Sequence, residues 1–157
     1  MSVNFQFVAL DKSEFVSFSD FTDEELSNFN ARWVVADTTP GYPCRVSLQN
    51  AEIGERVLAI SYCFQNADSP YRASGPIFVR EIAETAEPAV NEIPEMLIES
   101  LLSVRAYNST NSLIASDVVD GINLESVITS QLSDSSVDYL HVHYAKHGCF
   151  NSAVFRA

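Results

Sequence analysis

Residues 138–155, DYLHVHYAKHGCFNSAVF, indicate the fold class of this chain. Two apolar-rich segments, 138–144 and 149–155, lie on either side of the short segment AKHG. A connection this short cannot hold a parallel crossover, so the two segments are predicted to pair as an antiparallel hairpin. A second hairpin is predicted for residues 102–108 and 113–119, around the segment NSTN. Tight turns of this kind favour a mostly antiparallel sheet.

Three short helices are predicted among the strands. Thr22 can cap the first, over residues 23–30, because Glu25 follows three residues later and completes a capping box. Pro94 suits the first position of a second helix, and residues 122–132 show the helical spacing of apolar residues expected of a third. The apolar face of the second helix is predicted to consist of Met96, Leu97 and Leu101.

The remaining strands are predicted where short apolar segments lie between turns, at residues 3–9, 32–36, 44–48, 56–63 and 77–81. The chain has 157 residues, of which 46% are hydrophobic, which suits one domain with one sizeable core. We therefore expect an α+β fold, formed by a single domain over residues 1–157, with a mostly antiparallel β-sheet and about three short helices.

The charge of the chain argues against nucleic acid as a partner. The formal net charge is -12, with 9 Lys and Arg residues against 21 Asp and Glu residues. A protein that binds nucleic acid needs a basic surface to displace counterions from phosphates, and this composition does not provide one. No apolar stretch approaches the length that spans a bilayer, so we expect no membrane association.

The cysteines and the N-terminus lead us to expect a cytoplasmic protein. Cys44, Cys63 and Cys149 are odd in number and widely spaced, and no CxxC motif is present. The N-terminal residues do not show the basic and apolar regions of a signal peptide. Free thiols in a reducing compartment are therefore the expectation.

Arginine dominates the basic residues. Seven of the nine Lys and Arg residues are Arg, namely Arg32, Arg45, Arg56, Arg72, Arg80, Arg105 and Arg156. The planar guanidinium group is suited to holding a carboxylate or a phosphate with paired hydrogen bonds. We expect most of these side chains to pair with Asp or Glu, and one or two to line an anion pocket.

Four unusual segments carry a resemblance to a known family. They are GYPCRVSLQNAEIGERVLAISY (41–62), SPYRASGPIFVRE (69–81), DVVDG (117–121) and YLHVHYAKHGCF (139–150). These segments resemble those of a bacterial family listed as domain of unknown function 1203, over about Arg32 to Arg156. The resemblance implies a chain of similar length and no known activity, so it implies no catalytic residue.

Cys44 and Arg45 form the first candidate site, in a segment that follows two prolines. A thiolate is nucleophilic, and a nearby cation favours it. Strand alternation sends neighbouring side chains to opposite faces, which makes Arg45 a poor direct partner for Cys44. The alternative is that Cys44 is a small buried apolar residue on one face with Val46 and Leu48.

His141 and His143 form the second candidate site. Alternation along a strand places both imidazoles on one face with Tyr139, where they can act as acid and base or, with a third ligand, hold a metal. If AKHG is the hairpin loop, Tyr144 lies opposite Cys149 and His143 opposite Phe150, which places Cys149 on the other face. The alternative is a polar face open to solvent or histidines that bond to the backbone.

The third candidate site is the segment SPYRASGP, from which Tyr71, Arg72 and Ser74 are predicted to bind a ligand. Arg72 can hold an anion with two hydrogen bonds, and Gly75 allows a ligand to approach the backbone. The alternative is that Arg72 fixes the loop through an ion pair, with Asp68 as a local candidate.

Two functional hypotheses follow. The first is a small-molecule binding domain with an Arg/His/Tyr-lined pocket for a small anion, in which Arg45, Tyr71, Arg72 and Ser74 bind the ligand. The second is an enzyme with Cys44 or Cys149 as nucleophile and His141 or His143 as base, with a metal at the two histidines as a variant. The sequence contains none of the common cofactor motifs and leaves the cofactor, if any, and the oligomeric state open.

Overall fold

The computed structural model describes residues 3–157 and arranges eight β-strands in two antiparallel sheets. The large sheet has the strand order β1-β8-β7-β5-β6, and the small sheet has the order β2-β3-β4. The strands of the large sheet are β1 (Phe5–Val8), β5 (Leu101–Tyr107), β6 (Leu113–Asp120), β7 (Tyr139–Tyr144) and β8 (Phe150–Arg156). Those of the small sheet are β2 (Ala31–Val35), β3 (Arg56–Gln65) and β4 (Ala73–Arg80).

The fold also has three short α-helices, which are α1 (Asp23–Asn28), α2 (Glu95–Ile98) and α3 (Leu124–Leu132). Three 3₁₀-helices lie at Lys12–Glu14, Val16–Asp20 and Gly121–Asn123. The predicted capping box is present at α1, where Thr22 accepts the N–H of Glu25 and the Glu25 side chain accepts the N–H of Thr22. The predicted α+β fold with a mostly antiparallel sheet and few short helices is confirmed. That residues 1–157 form one domain stays a prediction.

The large sheet buries one face against α2 and α3. Its strands alternate as expected, so that one set of side chains packs against the two helices. Part of the other set, on β7 and β8, contacts the end of β3 in the small sheet. The buried residues of this core include Phe7, Leu97, Leu102, Val104, Ile128, Leu140 and Val142. A second core, which includes Phe18, Leu26, Leu58, Ile77 and Val79, covers one face of the small sheet.

Residues 44–48 do not form the predicted strand. The backbone makes a single parallel bridge from Cys44 to Phe78 and then turns, with the N–H of Leu48 donating to the carbonyl of Cys44. Leu48 has a φ of 53°, a left-handed conformation that no strand residue adopts. The alternation of Cys44, Val46 and Leu48 was misleading because these side chains are buried by a tight turn rather than by one face of a sheet.

Several other element boundaries differ from the prediction by a few residues, and two of these differences have a clear physical reason. Helix α2 ends at Ile98, and Leu101 begins β5 because its backbone pairs with Asp120 of the neighbouring strand. Strand β4 begins at Ala73 and includes Pro76. Proline is tolerated there because β4 lies at the edge of the small sheet.

Within residues 3–157, no helix combines the length and the apolar character needed to cross a membrane.

Candidate functional site

An open cleft lies between residues 39–52 with the adjoining part of β4 on one side and the segment of residues 86–100, which includes α2, on the other. Its volume is about 1410 Å³. Two distant parts of the chain meet in this cleft, and they contribute the side chains of Arg45, Tyr144 and Cys149. Tyr144 is the last residue of β7, and Cys149 directly precedes β8, so the final hairpin supplies two of the three.

Arg45 is the most unusual residue of the cleft because its charged side chain is almost entirely buried, with 1% of its surface exposed. Its Nε donates to the carbonyl of Phe150 at 2.7 Å, and its Nη1 donates to the carbonyl of Pro43 at 2.5 Å. The guanidinium carbon lies 5.7 Å from the centroid of the Tyr144 ring. Both described hydrogen bonds use neutral backbone groups, so neither neutralises the positive charge.

No carboxylate within residues 3–157 forms an ion pair with Arg45. Burial lowers the pKa of Arg45, although arginine stays protonated at neutral pH because its ordinary pKa is so high. A buried charge without a counter-charge is costly. An anion bound beside Arg45 would therefore offset the cost of burying its positive charge.

Arg80, a second arginine in the cleft, provides a contrast. Its Nε lies 2.9 Å and 3.1 Å from the two carboxylate oxygens of Glu55. The Arg80 side chain also donates to Ser47 at 3.4 Å and Gln49 at 3.2 Å. Arg80 is thus neutralised within the protein, which leaves Arg45 as the cleft arginine without an acidic partner in the part of the chain that is described.

Cys149 lies next to Arg45 at the cleft. Its thiol is free and partly exposed, and it lies close enough to Arg45 to act on the guanidinium group electrostatically. The predicted register of the hairpin is confirmed next to the loop, because the N–H of Tyr144 donates to the carbonyl of Cys149 and His143 pairs with Phe150. Beyond this pair a bulge shifts the register by one residue, so that Val142 pairs with Ser152. Cys149 therefore faces the cleft while the two histidines face the other side of the sheet, as the register predicts.

The histidines lie in a buried layer between the sheets, made of His141, His143, Phe64 and Phe150. His141 is 5% exposed and His143 is fully buried. Phe64, from β3 of the small sheet, stacks on Phe150 with ring centroids 5.2 Å apart and meets the ring of His143 edge-on at 5.1 Å. The predicted alternative of a solvent-facing side is wrong because the end of β3 covers this part of the large sheet.

Burial keeps both imidazoles neutral. It lowers the pKa of His141 to about 3 and that of His143 to about 4, and the positive charge of Arg105 acts in the same direction on both. The Nδ1 of His143 donates to the carbonyl of Gly148 at 2.9 Å, which leaves Nε2 as an acceptor. Neither His143 Nε2 nor His141 Nδ1 has a partner within the described residues.

A family model matches residues 41–156, which include Arg45, Tyr144, Cys149 and both buried histidines. Its description is "Protein of unknown function (DUF1203)". This chain belongs to the DUF1203 family. No curated protein and no solved structure matches the chain. The predicted resemblance is thereby confirmed, and the function of the DUF1203 domain has to be argued from its own geometry.

Cys44 lies inside the DUF1203 domain rather than at the cleft. It is fully buried among the apolar residues of the second core, and its sulfur accepts the N–H groups of Ser47 and Arg80, each at 3.3 Å. No described hydrogen bond joins Cys44 to an imidazole. Cys44 and Arg45 do point to different surroundings, as expected of neighbouring residues.

The three candidate sites do not share one hollow. The cleft contains Arg45 of the first site and neither histidine of the second, and of the segment SPYRASGP only the last residue, Pro76, lines it. Arg72 and Ser74 are exposed, and the ion pair between Arg72 and Asp68, which was the alternative to ligand binding, does not occur among residues 3–157. Tyr71 is 41% exposed and lies near Tyr107, with ring centroids 6.4 Å apart. This places it at the margin of the histidine layer.

The described residues hold no group of three or more His, Cys, Asp or Glu side chains that is arranged to bind a metal. His141 and His143 have ring centroids 6.3 Å apart, and their neighbours in the layer are aromatic. A metal at the two histidines stays a prediction that lacks a third ligand in the described part of the chain.

Most residues that line the cleft were not among the predicted site residues, and they include Tyr144 and His147. The hairpin register contained a signal for Tyr144, because a residue next to His143 on a strand lies on the opposite face with Cys149. Arg45 reaches this hairpin through a hydrogen bond to the carbonyl of Phe150, which lies 105 residues later in the chain. No local sequence pattern predicts such a contact.

The three thiols are expected to react very differently with a bulky alkylating reagent. In the native DUF1203 domain Cys63 and Cys149, which are partly exposed, should be modified, whereas buried Cys44 should react only after unfolding. Mass spectrometry of peptides after labelling with and without denaturant measures this directly. Modification of Cys44 in the native protein at the rate of Cys149 would contradict the described burial.

Proposed function

We propose that this domain binds a small anionic molecule in the cleft, with Arg45 as the residue that holds the anionic group. The observation that carries the proposal is the buried guanidinium of Arg45, which lacks an acidic partner within residues 3–157. A preformed cleft with a few converging polar groups is the common form of a small-molecule site. Cys149, Tyr144 and His147 add polar atoms to it.

The proposed anion has a physical advantage at this place. The cost of burying the Arg45 side chain is met when the protein folds, so a bound carboxylate or phosphate gains charge-assisted hydrogen bonds without that cost. The carbonyls of Phe150 and Pro43 hold Nε and Nη1 in place. Little side-chain entropy remains to be lost on binding, because the group is already ordered.

A titration with inorganic phosphate and with acetate at constant ionic strength tests the proposal. In ¹⁵N-resolved NMR spectra we expect saturable shifts of the Arg45 Nε–H signal and of the Cys149 amide, with no shift of the Arg72 side chain. Arg45→Gln should weaken binding by about 10- to 100-fold, since hydrogen bonds to charged groups contribute about 1.5–3 kcal/mol.

Arg72→Gln is the matched control, because it removes one positive charge from an exposed side chain outside the cleft. It should leave the affinity unchanged. Weak shifts that follow charge over the whole surface and never saturate would refute the proposal. Should Arg45→Gln fail to fold, the wild-type spectra still decide, because they report where the anion lies.

The alternative function, a cysteine- and histidine-dependent enzyme, has one favourable observation. Cys149 is open to the cleft and lies beside Arg45, and His147 also lines the cleft. His141 and His143 form no described hydrogen bond with Cys44 or Cys149, so this alternative would use His147 as the base. The variant Cys149→Ser separates the two functions. If it still binds phosphate, the cleft binds anions without needing the thiol, and any nucleophilic role of Cys149 is a separate property.

A further inference from the structure

One wall of the cleft is strongly acidic. The segment of residues 86–100 carries four glutamates that line the cleft, namely Glu87, Glu92, Glu95 and Glu99. Glu52 adds a fifth carboxylate from the opposite side. All five side chains are exposed. The cleft therefore combines a buried positive charge on its floor with an excess of negative charge on one wall.

These carboxylates are not neutralised by the protein. None of the five forms an ion pair within residues 3–157, where the three ion pairs use Glu84, Glu81 and Glu55. Glu92 accepts the N–H of Ala89 at 3.0 Å, which orders its side chain but does not cancel its charge. The neighbouring cation Arg80 is already paired with Glu55.

This distribution of charge selects against a ligand that is only anionic. A phosphate or simple carboxylate on Arg45 would gain hydrogen bonds but would also be repelled by those glutamates that lie within the Debye length, which is about 8 Å at physiological salt. A ligand that also carries a positive charge would convert this repulsion into attraction. A single exposed carboxylate attracts a positively charged group only weakly, but several carboxylates act together here.

We propose that the ligand of the cleft is dipolar, with a carboxylate or similar small anionic group on Arg45 and a primary ammonium group at the glutamate wall. The inference rests on the proposed function of the cleft and specifies its ligand class. The buried Arg45 defines the anionic end of the site, and Glu95 and Glu99, on and next to α2, define the cationic end.

The test compares two series of compounds that differ only in the amino group. One series consists of straight-chain ω-amino acids from glycine to 6-aminohexanoate, and the other consists of the unsubstituted carboxylates of the same chain lengths. We expect one chain length at which the amino acid binds about 3- to 10-fold more tightly than its carboxylate, as isothermal titration calorimetry measures it. That chain length reports the distance between the two ends of the site.

The double variant Glu95→Gln/Glu99→Gln should reduce this advantage to less than about 2-fold while leaving the binding of the plain carboxylate equal or tighter. The matched control is Glu24→Gln/Glu125→Gln, which removes two exposed carboxylates from α1 and α3 and should retain the advantage. If amino acids and carboxylates bind equally at every length, the dipolar ligand is excluded while anion binding at Arg45 stands. If neither series binds and phosphate also fails, both proposals are lost.

Discussion

Acidification from about pH 7.5 to about pH 5 is expected to reduce the free energy of unfolding of this protein by about 4 kcal/mol through two buried histidines. Burial lowers the pKa of His141 to about 3 and that of His143 to about 4, so both stay neutral in the folded protein throughout this range. In the unfolded chain both take up a proton below the ordinary histidine pKa of about 6.5.

The direction of the effect follows from where the protons bind. The unfolded state binds more protons than the folded state below about pH 6.5, so the stabilisation is fully present above that pH and is lost as the pH falls toward the native pKa values of about 3 and 4. Because pH 5 lies about 1.5 units below the ordinary histidine pKa, each histidine lowers the free energy of unfolding at this pH by about 2 kcal/mol.

Urea unfolding at the two pH values measures this loss, and variants assign it. His141→Phe should roughly halve the pH-dependent loss, because the remaining histidine contributes about 2 kcal/mol and phenylalanine suits a layer that already contains Phe64 and Phe150. An unchanged loss in His141→Phe would show that the acid sensitivity arises elsewhere.

Gly121→Ala is expected to destabilise the protein by about 3 kcal/mol, a value at the upper end for a core that is overpacked. A methyl group at Gly121 would lie 2.6 Å from the carbonyl oxygen of Ile98 and closer still to that of Leu97. Both neighbours are backbone atoms of α2, which cannot rotate away as a side chain can. The N–H of Gly121 also donates to the carbonyl of Ser100 at 2.8 Å, which holds the two segments together.

Gly75→Ala is the matched control for this substitution. A methyl group there would meet Phe64 Cε2 at 3.5 Å, an ordinary contact, and the change should alter stability by less than about 0.5 kcal/mol. Thermal and urea unfolding of both variants provide the measurement. Because Gly121 positions α2, and α2 supplies part of the acidic wall, Gly121→Ala should also weaken ligand binding. A Gly121→Ala protein as stable as Gly75→Ala would contradict the close packing of these segments.

The sequence predicts most of the elements because their signals are local. The capping box of Thr22 and Glu25, the spacing of apolar residues in α3 and the short loop of the last hairpin each act over a few residues, and all three are present in the structure. The prediction failed at residues 44–48, where the alternation of apolar residues is compatible with a strand and also with a buried turn. Residues 44–48 alternate like a strand, yet they are buried by a turn between Cys44 and Leu48.

The sequence alone determined the α+β class, the family and the fact that the chain carries more arginine than lysine in an acidic background. It also determined, through the hairpin register, that Cys149 and His143 face opposite sides. Only the tertiary structure decided that Arg45 is buried without an acidic partner in the described chain, and that the histidines lie under Phe64. These properties depend on contacts such as that of Arg45 with Phe150, between residues 105 positions apart. Local patterns report the neighbours of a residue along the chain, whereas its burial and its charge partners depend on segments that only folding brings together.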